Sequence, residues 1–513
     1  MLDATPFLRL YARRRSQQLA SQDPAATQER TLLELLKKAR DTRFGKDHSF
    51  DSISSVAEFQ KKVRLRRYED FWNEYFKASF PRLENCTWPG LIRYFPVSSG
   101  TSAGPTKFLP YSKEMQDSNT KAGLDLLTHH VLNRPHSKVF AGNSFVLGGT
   151  TELVEQAPGI WSGDLSGIAV KTLPWWARLR YFPPQQMALI KDWEEKIDTF
   201  ARASLKTDIR MISGVPNWLL IYFDKLRELC PQADGKISNI YPHLEMLVHG
   251  GVNFAPYVRQ FTSLLEGSNA EMREVYPASE GFIAVADRGY GDGLRMQLDS
   301  GIFYEFIPLE EINSPQPTRH WIKNIELGVN YALVMTTCAG LWSYIIGDTV
   351  KFVDRNPARL LITGRISYYL SAFGEHLLGE EIESAISKAA EAANSTITDY
   401  SVGAVYPQST AELGGHLYIV EFAEGQAPKT TAHETFITTL DQQLRRANED
   451  YEAHRANNFG LSGPKLAVVK PGTFAAWMKA RGKLGGQNKV PRIISDAELF
   501  DNLQRFAAEH RLS

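Results

Sequence analysis

The chain has 513 residues, with 58 basic and 58 acidic side chains, 43% hydrophobic residues and 23% charged ones. That length accommodates about two to four structural units, and the balanced charge excludes a basic nucleic-acid-binding surface or a solvating acidic tail as an organising feature. Cys86, Cys230 and Cys338 are far apart and odd in number. They fit neither a disulfide framework nor a zinc site, and they point to a reducing compartment.

The N-terminal stretch MLDATPFLRLYARRR has no continuous apolar core behind a basic start, and no apolar run approaches the length of a membrane span. The expectation is a cytoplasmic protein with no membrane or nucleic-acid partner and no obligate protein partner. Along the chain, Thr31 to Ala39 carries Leu32, Leu35, Leu36 and Ala39 at helical spacing, and Asp192 to Leu205 reads as an amphipathic helix. A further helix starts at Pro216, where a proline costs nothing because its missing amide hydrogen would be an orphan anyway. Short apolar strands are predicted at Leu91–Val97, Phe145–Leu147, Leu244–His249, Tyr331–Thr337 and Thr349–Val353. Strands alternating with helices indicate an α/β architecture.

After Gly364 the pattern changes to a smaller α+β unit. It has a helix over Gly379–Ala392, strands at Tyr400–Tyr406 and His416–Phe422, a long helix from His433 with Phe436, Leu440, Leu444 and Tyr451 on one stripe, and a strand at Lys465–Val469. The expected domains are 1–364 and 365–513.

Five segments carry possible chemistry. Ser98-Ser99-Gly100-Thr101-Ser102-Ala103-Gly104-Pro105-Thr106-Lys107 comes directly after a strand. Small residues let backbone amides approach an anion, hydroxyls donate to it, and lysine adds charge. It is not a Walker loop: Gly100 and Gly104 enclose only three residues, and Pro105 stands where that loop has lysine. Tyr276-Pro277-Ala278-Ser279-Glu280-Gly281 sets an aromatic that could stack on a base beside a carboxylate that could hold Mg²⁺. Tyr344-Ile345-Ile346-Gly347-Asp348 lies between two strand-like stretches, where an aspartate can accept from ribose hydroxyls, as acids do in dinucleotide folds. Taken alone, each of these two is more readily an ordinary loop or a Gly-Asp turn. Gly364-Arg365 sits at the domain boundary, and Gly485-Gly486-Gln487-Asn488-Lys489 offers a lysine in a glycine-bounded loop near the C-terminus.

In that order and spacing, with a Gly250-Gly251 turn between the first two, the set resembles the acyl-adenylate-forming superfamily. The loop SSGTSAGPTK, the pair YPASEG and YIIGD, and the N-terminal stretch Thr42 to Lys46 with the subsequent EFQKKVRLRRYED are most similar to the auxin-responsive acyl acid amido synthetases and their bacterial relatives. The likeness runs from about Leu32 to Arg492. It implies a large N-terminal adenylate-forming domain of β-sheets and flanking helices, plus a smaller mobile α+β C-terminal domain.

It also implies roles residue by residue. Ser98, Ser99, Gly100, Thr101, Ser102 and Lys107 would bind phosphate. Gly250 and Gly251, with Val252 and Asn253, would floor the adenine pocket. Tyr276 would stack on adenine beside Ser279, Glu280 would hold Mg²⁺, and Asp348 would bind ribose. Arg365 would mark the hinge, and Lys489 would bridge the reacting carboxylate and the α-phosphate. Two departures stand out: Ile345 comes after the tyrosine where an arginine or similar residue is usual, and Tyr368 replaces the hinge acid. The implied activity is ATP- and Mg²⁺-dependent adenylation of a carboxylic acid, then acyl transfer to an amine, most naturally an amino acid. An acyl-CoA ligase or a non-catalytic nucleotide-binding protein would use the same half-site.

The acyl pocket is less defined. Phe145 to Ile168, the helix after Pro216, and Trp175, Trp176 and Trp218 are candidates, with core packing the plainer reading for each. His129, His130 and His136 lack a carboxylate or cysteine at ligand spacing and are not expected to bind metal.

Overall fold

The computed structural model describes residues 2–98, 107–148, 152–184, 187, 190, 193–251, 254, 257–312, 314–366, 369–370, 377–406, 413–425, 427, 430–448, 451–452, 455, 461–483, 489–494 and 496–512. Contacts gather the chain into two units. The first holds Met1–Val252 and Leu264–Ile362, and the second holds Asn253–Ser263 and Thr363–Ser513. The second unit therefore takes in eleven residues from the middle of the chain as well as its C-terminal part.

In the first unit, the strands in chain order are β1 Tyr94–Ser98, β2 Lys107–Phe108, β3 Asn143–Leu147, β4 Leu153–Ala157, β5 Ile160–Gly163, β6 Tyr181–Phe182, β7 Ile209–Gly214, β8 Met246–Gly250, β9 Glu271–Ala278, β10 Gly281–Val285, β11 Leu294–Met296, β12 Ile302–Pro308, β13 His320–Trp321, β14 Asn330–Thr337, β15 Tyr344–Arg355 and β16 Ala358–Arg365. Twelve of them form one sheet in the order β13-β12-β14-β15-β16-β11-β10-β9-β8-β7-β3-β6, and β2-β1-β5-β4 form a smaller sheet. The large sheet is parallel from β6 through β9. At the β9–β10 hairpin it turns antiparallel. Helices on the parallel part carry the apolar stripe expected of crossover connections. In Pro216–Leu229, for example, Trp218, Leu219, Tyr222 and Leu226 are all buried.

The helix read at Thr31–Ala39 begins earlier, at Pro24, because the Asp23 side chain accepts from the Ala26 amide and supplies a cap. Its Leu32, Leu35, Leu36 and Ala39 enter the core as expected. A first helix, Thr5–Ala20, has no clear apolar period to announce it in the sequence. Leu8, Ala12 and Leu19 are buried, and between them Arg15, 4% exposed, forks its guanidinium onto both oxygens of Asp125 and both of Asp299, at 2.7–2.9 Å.

In the second unit, β17 Tyr369–Leu370 and β18 Leu377–Leu378 pair in a small hairpin. β19 Ile397–Val405, β20 Gly415–Phe422, β21 Lys465–Val469 and β22 Ile493–Ile494 form a sheet in the order β21-β20-β19-β22. Side chains alternate across it. Tyr418, Val420 and Phe422 join Phe436, Leu440 and Leu444 of helix Thr430–Ala447 in one core, while Leu417 and Ile419 pack with Trp477, Phe500 and Leu503 in another. The helix over Gly379–Ala392 and the strand over Lys465–Val469 have the bounds read from sequence. No helix among the described residues is long and apolar enough to cross a membrane. All three cysteines are free and buried.

Candidate active site

Register brings the carboxyl ends of four parallel strands into one row. Leu147 pairs with Gly214, Gly214 with His249, and Gly250 with Val275. Gly148, Gly214, Gly250-Gly251 and Tyr276 consequently lie side by side at one rim of the sheet. Open α/β sheets bind ligands at this rim, because the strands end there and leave a crevice. Small residues are required by the packing. A Cβ on Gly250 would sit 2.3 Å from the Val275 carbonyl oxygen, and one on Gly214 would press on Leu219 at 3.0 Å. Gly251 has φ +83°, a conformation in which glycine is at ease.

Tyr276 sits near the end of β9 and is 5% exposed. Ser279 and Glu280 form the two-residue turn of the β9–β10 hairpin, since Ala278 pairs with Gly281. The motif read as a possible loop is thus a strand end and a tight turn, which fixes its acid firmly. Glu280 is 8% exposed and lies against Tyr344. Burial, with the Glu280 charge adding to it, drives the Tyr344 phenol well above its ordinary value and keeps it neutral.

Asp348 is not at a turn between two strands. Tyr344–Arg355 is one continuous strand with a bulge, in which Ala332 pairs with Thr349 while Val334 pairs with Ile345. Ile346, Gly347 and Asp348 together oppose Leu333 alone. Gly347 absorbs the extra length at φ +98°. The bulge aims Asp348 at the rim, where the Tyr276 hydroxyl donates to its Oδ2 at 2.6 Å. Two motifs 72 residues apart thereby share one hydrogen bond.

Strand alternation points to two groups that sequence motifs did not single out. Glu274 lies two residues before Tyr276, on the same face of β9, and is register partner of His249. Burial pushes the Glu274 carboxyl up to about 7 and the His249 imidazole down to about 3, so the imidazole is neutral. A period-2 reading of β9 would have found Glu274 beside Tyr276.

The other candidate residues fall on several elements. Ser98 ends β1, and Lys107 opens β2 opposite it, with its ammonium 5.7 Å from the Tyr68 ring centre. Ser99, Gly100, Thr101 and Ser102 lie outside the described residues, as do Val252 and Asn253. Arg365 closes β16, whose last three residues, Thr363 to Arg365, fall in the second unit together with the exposed Lys489. Phe145 is core, packed near Tyr222 at 4.7 Å, and Trp218 is buried, whereas Trp175 is 76% exposed. His130 is held by Glu271 and Ser137, and burial pushes His129 down to about 4. No group of three metal-ligating side chains occurs among the described residues.

The chain matches the GH3 family N-terminal domain over residues 13–172 and 154–270, its central domain over 296–365 and its C-terminal domain over 380–498. Indole-3-acetic acid-amido synthetase GH3.3 of Arabidopsis thaliana is 20% identical over 558 residues, covering 93% of this chain and 90% of its own. The solved structure of AtGH3.15 acyl acid amido synthetase in complex with 2,4-DB has the same fold. Its TM-score is 0.80 at 16% identity, over 96% of this chain and 95% of that one. A 2-hydroxyisobutyryl-CoA ligase in the postadenylation state with 2-HIB-AMP shares the fold at TM-score 0.60 and 15% identity, over 93% and 91% of the two chains. With three domain matches in order along its length, the chain belongs to the GH3 family.

Proposed function

We propose that the chain is an ATP-dependent acyl acid amido synthetase that activates a small carboxylic acid as acyl-AMP and passes the acyl group to an amine, in the first place an amino acid. The observation that carries the reading is the meeting of Tyr276 and Asp348 at the rim of the parallel strands, beside Gly250-Gly251 and the Glu280 turn, in a GH3-family chain. Tyr276 offers a ring face for adenine, and Asp348 offers acceptors for the ribose hydroxyls. The glycine turn lets the base lie against backbone. The stretch Ser98 to Lys107 is read as the phosphate-binding segment, because its small residues, hydroxyls and one lysine suit an anion.

In the first half-reaction a carboxylate oxygen of the acid attacks the α-phosphorus of ATP, the bond to the bridging oxygen breaks, and pyrophosphate leaves. The chain's contribution is alignment and charge neutralisation. Lys489 supplies a cation to the carboxylate and α-phosphate. Mg²⁺, when bound, neutralises phosphate charge. A single carboxylate, Glu280, with substrate phosphates is a usual holding set for it. In the second half-reaction the amine nitrogen attacks the acyl carbon, loses a proton, and AMP departs with the oxygen that came from the acid. We read residues 365–513 as the domain that moves between these steps, with Arg365 at its hinge.

The test is pyrophosphate release from ATP and Mg²⁺ across aromatic, aliphatic and hydroxy acids, with each amino acid or CoA, with products identified by mass spectrometry. An acyl–amino acid product is expected. An acyl-CoA product, or ATP binding with no turnover of any acid, contradicts the proposal.

A further inference from the structure

The eleven residues Asn253–Ser263 begin two positions after Gly251 and belong by their contacts to the second unit. The attachment is specific. Tyr257 is 1% exposed, and its hydroxyl accepts from Arg492 Nη2 at 2.9 Å. Arg259 lies at 3.4 Å from the Asn394 side chain. Arg492 in turn pairs through Nη1 with the buried Asp399, and its guanidinium lies 4.5 Å over the Tyr400 ring. Its backbone carbonyl accepts from the Val402 amide, and the neighbouring Pro491 carbonyl accepts from Ser401 Oγ. Arg492 is three residues after Lys489 and opens into β22, which runs parallel to β19.

These contacts form a strap. One planar guanidinium holds the base of the Lys489 segment to β19 on one side, and to the chain emerging from the Gly250-Gly251 turn on the other. Burial alone would favour the uncharged form of Arg492, but Asp399 opposite more than offsets it, so the guanidinium stays charged. Arginine suits the post because its fork serves two acceptors at fixed geometry, which a lysine's single nitrogen does not.

We propose that Arg492, acting through Tyr257 and Asp399, is a positioning residue. It ties the placement of Lys489 to Tyr257 and β19 within the second unit, so that the lysine is held ready for the adenylation step. This rests on the reading of Lys489 as the cation of that step.

The experiment uses the full chain with Tyr257→Phe, which deletes only the hydroxyl, and Arg492→Lys, which keeps the charge opposite Asp399. Three quantities are read: kcat and KM for ATP in acid-dependent pyrophosphate exchange, single-turnover consumption of supplied acyl-AMP by amine, and hydrogen exchange of the 253–263 peptide. The proposal expects exchange kcat to fall about tenfold in both variants, the loss a displacement well under an ångström produces. ATP KM should stay within about twofold, consumption of acyl-AMP should be retained, and the 253–263 peptide should exchange faster. A folded Tyr257→Phe with parental kcat and parental exchange overturns it, as does equal loss in both half-reactions. Lys489→Ala with parental adenylation would refute the lysine reading itself. In that case parental kcat with faster 253–263 exchange in Tyr257→Phe would leave a structural strap and reject the positioning role.

Discussion

The two parts of the proposed catalytic apparatus are built in opposite ways. Tyr276, Glu280 and Asp348 stand on strand ends, a two-residue turn and a bulge, all fixed by the ladder of one sheet. Lys489 is an exposed side chain in the second unit, and its segment is anchored three residues further on by the pairing of Arg492 with the buried Asp399 and by the short strand β22. A group that must recognise the same nucleotide in both half-reactions gains from a rigid seat, because misplacement by a fraction of an ångström lowers the rate. A cation needed in one half-reaction gains from a seat that can leave.

Substitutions can break that contrast, beginning with the largest effect. Lys489→Ala should lower the rate of acyl-AMP formation by about 10²- to 10³-fold, the scale for removing one group that stabilises developing charge. Consumption of supplied acyl-AMP should stay within about threefold. Rapid-quench measurement of the two steps checks this, and equal losses would mean that Lys489 serves structure rather than the first step.

Gly347→Ala probes the rigid side. Nothing lies within 4 Å of the added Cβ, so the only cost is the backbone at φ +98°, about 1–2 kcal/mol. The strand should relieve it by moving Asp348, raising the KM for ATP about tenfold while kcat changes less. An unchanged KM would show that the bulge does not aim Asp348.

The smallest effect on turnover concerns the floor of the rim, where the readout is stability. Burial raises the Glu274 carboxyl from its ordinary 4.5 to about 7. Between those values the folded chain holds a proton that the unfolded chain has lost, so stability falls as pH rises through this window and stays reduced above it. Glu274→Gln should remove that fall, stabilising the protein by up to about 3 kcal/mol at pH 8 and having little effect at pH 4. Thermal melts across pH would show it, and parallel curves for the two proteins would count against a neutral Glu274.

Much of this contrast was legible in the sequence. The glycine turn, the aromatic-to-acid spacing of Tyr276 and Glu280, and the helices at Pro216 and Gly379 arise from local chemistry, and local chemistry is what a sequence displays. Long-range geometry was not legible. The stretch Tyr344–Asp348 reads as a turn because Gly-Asp usually is one. Its neighbour β14 and the bulge make it a strand interior. The first helix escapes notice because its buried stripe, Leu8, Ala12 and Leu19, is interrupted by Arg15, whose pairing with Asp125 and Asp299 lies far along the chain. Residues 253–263 give no sign of their allegiance, since it depends on Arg492 more than 200 positions away.

The central claim is that the acid is activated through its own oxygen at the α-phosphate. Acid labelled with ¹⁸O in both carboxylate positions, turned over with ATP and its amine, tests this directly by mass spectrometry of the nucleotide. The account predicts AMP carrying one ¹⁸O, with unlabelled pyrophosphate and one ¹⁸O left in the amide. Label in inorganic phosphate alongside ADP would mean activation at the γ-phosphate and would contradict it.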